Sequence, residues 1–129
     1  MLKISTKSEI KKQVYGDDIS FGSEQHHAMH ALTFFLFMTR RVLKGEPVKK
    51  RLLGRILHHL MDLREYLEEG ECNHLVNVLI SKVRSLYDKP ALQGRAALWL
   101  VQNRRHVIRF AACYKREEIF KNLEGLNHA

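Results

Sequence analysis

Apolar residues recur at three- and four-residue intervals along nearly the whole chain, and the two-residue alternation of a half-buried strand is almost absent. The spacing predicts helices, and the glycines and prolines fall where helices should stop or start. Thr6 and Glu9 form a capping-box pair at the head of a first short helix, Lys7 to Tyr15, with Gly16 as its stop. Ser23 caps a long helix from about Glu24 to Lys44, ended by Gly45. Pro47 precedes a helix from Val48 to Glu69, ended by Gly70. Further helices are predicted from Asn73 to Tyr87, from Pro90 to about Cys113, and over a last short segment, Glu117 to Leu123, stopped by Gly125. Short connections favour antiparallel neighbours. The expected fold is therefore one all-α domain over 1–129, an up-and-down four-helix bundle with short terminal helices.

The Val48 helix carries one apolar stripe, Leu53, Ile56, Leu57, Leu60, Leu63 and Leu67, within about 120° of arc. Its other face holds Arg51, Arg55, His58, Asp62, Glu65 and Glu69, so it should lie at the edge of the bundle. The Glu24 helix is two-sided, with Ala28, Leu32, Phe35 and Val42 on one side and His26, His30, Phe34 and Phe37 on the other. It is either central or covered by a second molecule. The second case predicts a homodimer or heteromeric contact through His30, Phe34 and Phe37.

Charge narrows the partners. Twenty-two Lys and Arg against fourteen Asp and Glu leave the chain at +8, which draws nucleic acids and acidic proteins to it. Two stretches concentrate the positive charge. Arg40, Arg41, Lys44, Lys49, Lys50, Arg51 and Arg55 bracket the turn at Gly45 to Pro47, opposed only by Glu46. On the Pro90 helix, Ala97, Leu100, Val101, Val107, Ile108 and Ala111 are read as the core side. Arg95, Gln102, Arg105, Arg109 and Arg116 then form a polar stripe with Trp99, His106 and Phe110 beside it. Guanidinium groups interleaved with flat rings suit nucleic acid, through phosphate neutralisation and base stacking, and suit a protein interface equally. Arg104 falls at the centre of the apolar side in this phase, which predicts either a stem laid along that face with the guanidinium carried to an edge, or a buried ion pair or hydrogen-bonded bridge to Asp88 or to a carboxylate between Asp62 and Glu71. Those acids, Asp62, Glu65, Glu68, Glu69 and Glu71, should make the far pole negative.

Catalytic and metal chemistry find less support. Eight histidines evoke a metal bundle of hemerythrin type, with His26, His30, His58, Asp62, His74 and His106 as ligands. His58 and Asp62 lie opposite the leucine stripe, and Val78 and Phe110 stand where the partners of His74 and His106 would be needed. His26 and His30, at i and i+4, supply half a zinc site. No metal and no cofactor are therefore expected. Arg51 and His58 resemble the Arg, four to six residues, His motif of HEPN-type ribonucleases, with Leu52 where that motif carries a polar residue. The run Leu100, Val101, Arg104, Arg105, Val107, Ile108 resembles the third helix of the small-subunit ribosomal protein fifteen family, which implies an RNA-binding helical fold over about sixteen residues. Cys72 and Cys113, without CxxC spacing, read as reduced thiols of a cytoplasmic protein. Neither an apolar leader nor a stretch long enough to insert in a membrane is apparent. The expected function is non-enzymatic binding of an acidic partner, nucleic acid first, with a protein adaptor or regulator as alternative and a HEPN-type ribonuclease as the minor one.

Overall fold

A computed structural model describes residues 6–15, 23–89 and 93–124. It is all-helical: α1 (Lys7–Tyr15), α2 (Glu24–Leu43), α3 (Lys50–Arg64), α4 (Glu71–Tyr87), α5 (Gln93–Ala112), a 3₁₀ turn (Glu117–Phe120) and a last helical turn, α6 (Lys121–Glu124). Each helix packs on the next, and α5 also returns to α2, which closes α2 to α5 into a bundle with α1 laid on α2. The expected all-α bundle is what forms. Pro90 and the stops at Gly16 and Gly125 lie outside the described residues.

Local chemistry explains most boundaries. The Thr6 hydroxyl accepts from the Glu9 N–H at 3.1 Å, and the Ser23 hydroxyl from the His26 N–H at 3.2 Å. At the end of α2 the Gly45 N–H donates to the Val42 carbonyl and the Glu46 N–H to the Arg41 carbonyl, with Gly45 at φ 70°. This is a Schellman closure, and it needs a left-handed residue where the sequence has glycine. The same closure ends α5, where Lys115 donates to Ala112 and Arg116 to Ala111, but a lysine holds the left-handed position at φ 59°.

α3 departs from expectation at both ends, starting at Lys50 and stopping at Arg64. Glu65, Glu68 and Glu69 would crowd the negative end of the helix dipole. The chain turns instead, and Gly70, at φ 156°, starts α4, where Glu71 meets a positive helix end.

Leu53, Ile56, Leu60 and Leu63 of the leucine stripe are fully buried, and His58 and Arg51 on the other face are exposed. α2 is the central helix. It buries Ala28, Met29, Leu32, Phe35 and Met38 in the bundle, while its second apolar side meets α1 and part of α3. Phe34 and Phe37 on that second side remain half-buried.

α5 is rotated relative to the expected phase by roughly 80° at 100° per residue. Ala96, Trp99, Leu100, Asn103, Val107, Phe110 and Ala111 face the core, whereas Ala97 is exposed and Val101 and Ile108 are half-buried. Trp99 stacks on Phe35 with ring centroids 6.2 Å apart, and its indole N–H donates to the Lys82 carbonyl at 2.9 Å. Asn103 tolerates burial because its amide donates to the Trp99 carbonyl one turn back.

Cys72 and Cys113 form a disulfide, with Cα atoms 6.2 Å apart. This corrects the reading of two reduced thiols. α4 and α5 are packed neighbours, and the first turn of one meets the end of the other, a proximity that a separation of 41 residues does not announce. No described helix is long and apolar enough to cross a membrane.

Candidate functional site: a basic groove beside a histidine cluster

Phe34 and Phe37 are three residues apart on α2 and share a face, with Arg40 and Arg41 one turn further on. α3 faces them with Arg51, Leu52 and Arg55, Lys49 stands at its N-cap, and α1 contributes Lys7. Together these residues line a groove of about 320 Å³. The two rings meet edge to face at 5.9 Å. The Arg55 guanidinium lies 5.8 Å from the centre of the Phe34 ring and the Lys7 ammonium 5.7 Å from that of Phe37. Each cation rests on a π face. Arg41 is tied to the turn, 3.5 Å from the Glu46 carboxylate and donating to the Pro47 carbonyl. No carboxylate is among the described lining residues, and six Lys and Arg side chains line the groove around an aromatic floor, Arg41 with Glu46 beside it. An anion placed there relieves their repulsion.

The groove joins two sets of residues that the sequence kept separate. Arg40, Arg41, Lys49, Arg51 and Arg55 come from the basic cluster, and Phe34 and Phe37 from the expected assembly contact. Lys44 and Lys50 stand outside it, and Lys50 lies over the Tyr87 ring at 5.1 Å. Lys7 was not anticipated, because only the docking of α1 on α2 brings it there.

The expected stripe on α5 is broken up. Trp99 and Phe110 are core residues and cannot present rings to a partner, which corrects their assignment as binding residues. Arg116 turns inward, its Nε–H donating to the Val14 carbonyl at 2.8 Å, so it fastens α1 to the end of α5 rather than facing a partner. Arg109 pairs with Glu71. Arg95, Gln102 and Arg105 are exposed and His106 is half-buried. Burial is the first cause, and Lys82 and Arg109 further ones, that hold the His106 ring below the usual histidine range. Arg104 sits half-buried at the helix edge, beside a surface hollow of about 270 Å³ shared with Arg105, Ile108 and Arg109. It is not at the centre of the apolar side, and Glu71, one of the carboxylates expected for it, pairs with Arg109.

Along the α2–α3 seam the groove passes into a histidine cluster. His59 stacks on Phe34 (centroids 5.7 Å) and on His30 (4.6 Å, planes 10° apart). His30 is hydrogen-bonded through Nδ1 to the Tyr15 hydroxyl and through Nε2 to His26 Nε2, both at 2.7 Å. His26 and His30 are thus committed to each other and to α1. Beyond His59, the Asp62 carboxylate lies 3.2 Å from His58 Nε2 and 4.0 Å from His27 Nδ1. Burial, reinforced by the neighbouring His30, His58 and His27, pushes the His59 ring down to about 4, so it is neutral near pH 7. The His30 ring is lowered in the same direction, first by burial. His27 and His59 were not singled out from the sequence. The signal available was the i, i+3 spacing of His59 and Asp62, on a helix face judged only by its distance from the leucine stripe.

Arg51 and His58 lie on one face of α3 but seven residues apart, about 10 Å of helix rise, and His58 is engaged by Asp62. No family model, curated protein or solved structure matches the chain.

Proposed function

We propose that the protein is a non-enzymatic nucleic-acid-binding protein that takes a single-stranded segment into the α1–α2–α3 groove. One observation carries this reading: six Lys and Arg side chains converge on two phenylalanine rings, with no carboxylate among the described lining residues. Phosphates suit the rim and an unpaired base suits the floor, where stacking on an aromatic ring is tolerant of sequence. Phe34 and Phe37 serve the ligand in this reading rather than a second copy of the chain.

Anisotropy of a fluorescent single-stranded oligonucleotide, measured across a salt series, tests it. Neutralising four or five phosphates gives a log–log salt slope of roughly −3 for single strands. Arg51→Glu with Arg55→Glu should abolish binding, and Phe34→Ala should weaken it by the roughly 1–3 kcal/mol of one stacked base. Binding unchanged by the charge reversals would sink the proposal.

A second reading, an adaptor for an acidic protein, is favoured by the three-arginine hollow on α5. It requires Arg105→Glu to abolish capture of the partner while oligonucleotide binding is absent. Light scattering decides the assembly question: a dimer dissociated by Phe34→Glu would return the rings to an interface. The disulfide bears on location, because a reducing cytosol keeps such thiols apart. The cytoplasmic setting read from the sequence belongs to a reduced form of this fold.

A further inference from the structure

The geometry points to a divalent transition-metal site of the zinc class formed by His27 of α2 with His59 and Asp62 of α3. Each residue offers one donor atom, and the three atoms lie within 4.8 Å of one another. His59 and Asp62 are held on one helical face by their i, i+3 spacing, and His27 comes from the helix opposite. Two atoms mark the site independently. The Nδ1 atoms of His27 and His59 are buried and have no hydrogen-bond partner among the described residues, which is rare for buried polar groups. A metal ion would use a lone pair that burial otherwise leaves unanswered.

Around tetrahedral zinc, with bonds of about 2.0–2.2 Å, neighbouring donor atoms stand roughly 3.3 Å apart. His27 Nδ1 and Asp62 Oδ2 are 4.0 Å apart, so closing that pair takes roughly 0.7 Å, and since all three donors lie within 4.8 Å no pair needs more than about 1.5 Å. Side-chain torsions supply such movements without moving the helices. His58 Nε2, 3.2 Å from the same carboxylate, is placed as an outer partner that orients it. Asp62 is partly exposed, at 41% of its side chain, which leaves a fourth position open to water or a ligand. Two imidazoles and one carboxylate select a borderline ion over magnesium or calcium, which prefer all-oxygen shells. His26 and His30, the pair suggested by spacing alone, are bonded to each other and to Tyr15 instead.

The test uses the full, oxidised chain without reductant, so that Cys72 and Cys113 stay joined and supply no thiolate. After dialysis against chelator, Zn²⁺ is titrated by calorimetry and Co²⁺ by visible absorption near neutral pH. One ion per chain is expected. His27→Ala, His59→Gln and Asp62→Asn should each weaken binding by more than the roughly 10–100-fold that loss of an outer partner costs, and His58→Ala should fall within that range. His26→Ala and His74→Ala should bind as the parent does. Far-UV circular dichroism establishes that each variant is folded, and the near-isosteric Asp62→Asn keeps the test decisive if a histidine variant loses helix. Absence of binding by the parent, or binding indifferent to Asp62→Asn and His59→Gln, overturns the assignment. Loss on His26→Ala alone overturns it equally.

Discussion

Reducing the Cys72–Cys113 bridge should cost about 4 kcal/mol of stability, because the bridge closes a 41-residue loop and the chain-entropy relation charges the unfolded state that much for the closure. The folded state loses little in comparison, since α4 and α5 pack on each other along their length whether or not the sulfurs are joined. In urea, with a slope of roughly 1.5–2 kcal/mol/M for a small domain, the midpoint should fall by roughly 2–2.7 M in reductant. The slope itself should rise, as an unfolded chain released from its loop exposes more surface. Equilibrium unfolding by circular dichroism, with and without reductant, measures both quantities. The double variant Cys72→Ser, Cys113→Ser should match the reduced parent with no reductant present. Two results would refute the reasoning: coincident transitions for the oxidised and reduced protein, or alkylation of both thiols in denaturant before any reduction.

Three other expectations follow from particular contacts. Lys115 occupies a left-handed position at φ 59°, so Lys115→Gly should raise stability by about 0.5–1 kcal/mol in a thermal melt, and a loss would mean that the lysine makes a compensating contact. Arg116→Ala removes a guanidinium that donates to the Val14 and Tyr114 carbonyls; it should cost about 1–3 kcal/mol and raise amide exchange in α1 ahead of the bundle, whereas uniform exchange would count against a local role. In the presence of chelator, stability should be greatest above pH 6.5 and fall as pH drops toward about 4, because His59 takes up a proton in the unfolded chain before it does in the fold. Solvent screening at this half-buried ring leaves roughly 1–2 kcal/mol of the full effect. His59→Gln should flatten that part of the pH profile, and an unchanged profile would assign it to other groups.

The sequence by itself determined what is local. Most helix ends follow from hydrogen bonds that span five residues or fewer, so Thr6, Ser23 and Gly45 announce their roles without reference to the rest of the chain, whereas Gly70, read as the stop of one helix, opens the next. The leucine stripe of α3 is equally legible, because one face of that helix is apolar and the other is not. Only the tertiary structure decided the phase of α5. Its apolar residues surround the helix, and the core accepts Asn103 and Ala96 while leaving Leu98 and Ala97 outside, so no wheel has a single best face. Trp99 and Phe110 went inward with that rotation, and the expected aromatic stripe went with them. The groove, the disulfide and the cluster of His27, His59 and Asp62 share one reason for being hidden: each unites residues from different helices. Spacing along a chain reports the rotation of one helix about its own axis, and it carries no measure of which neighbouring helix that face will meet.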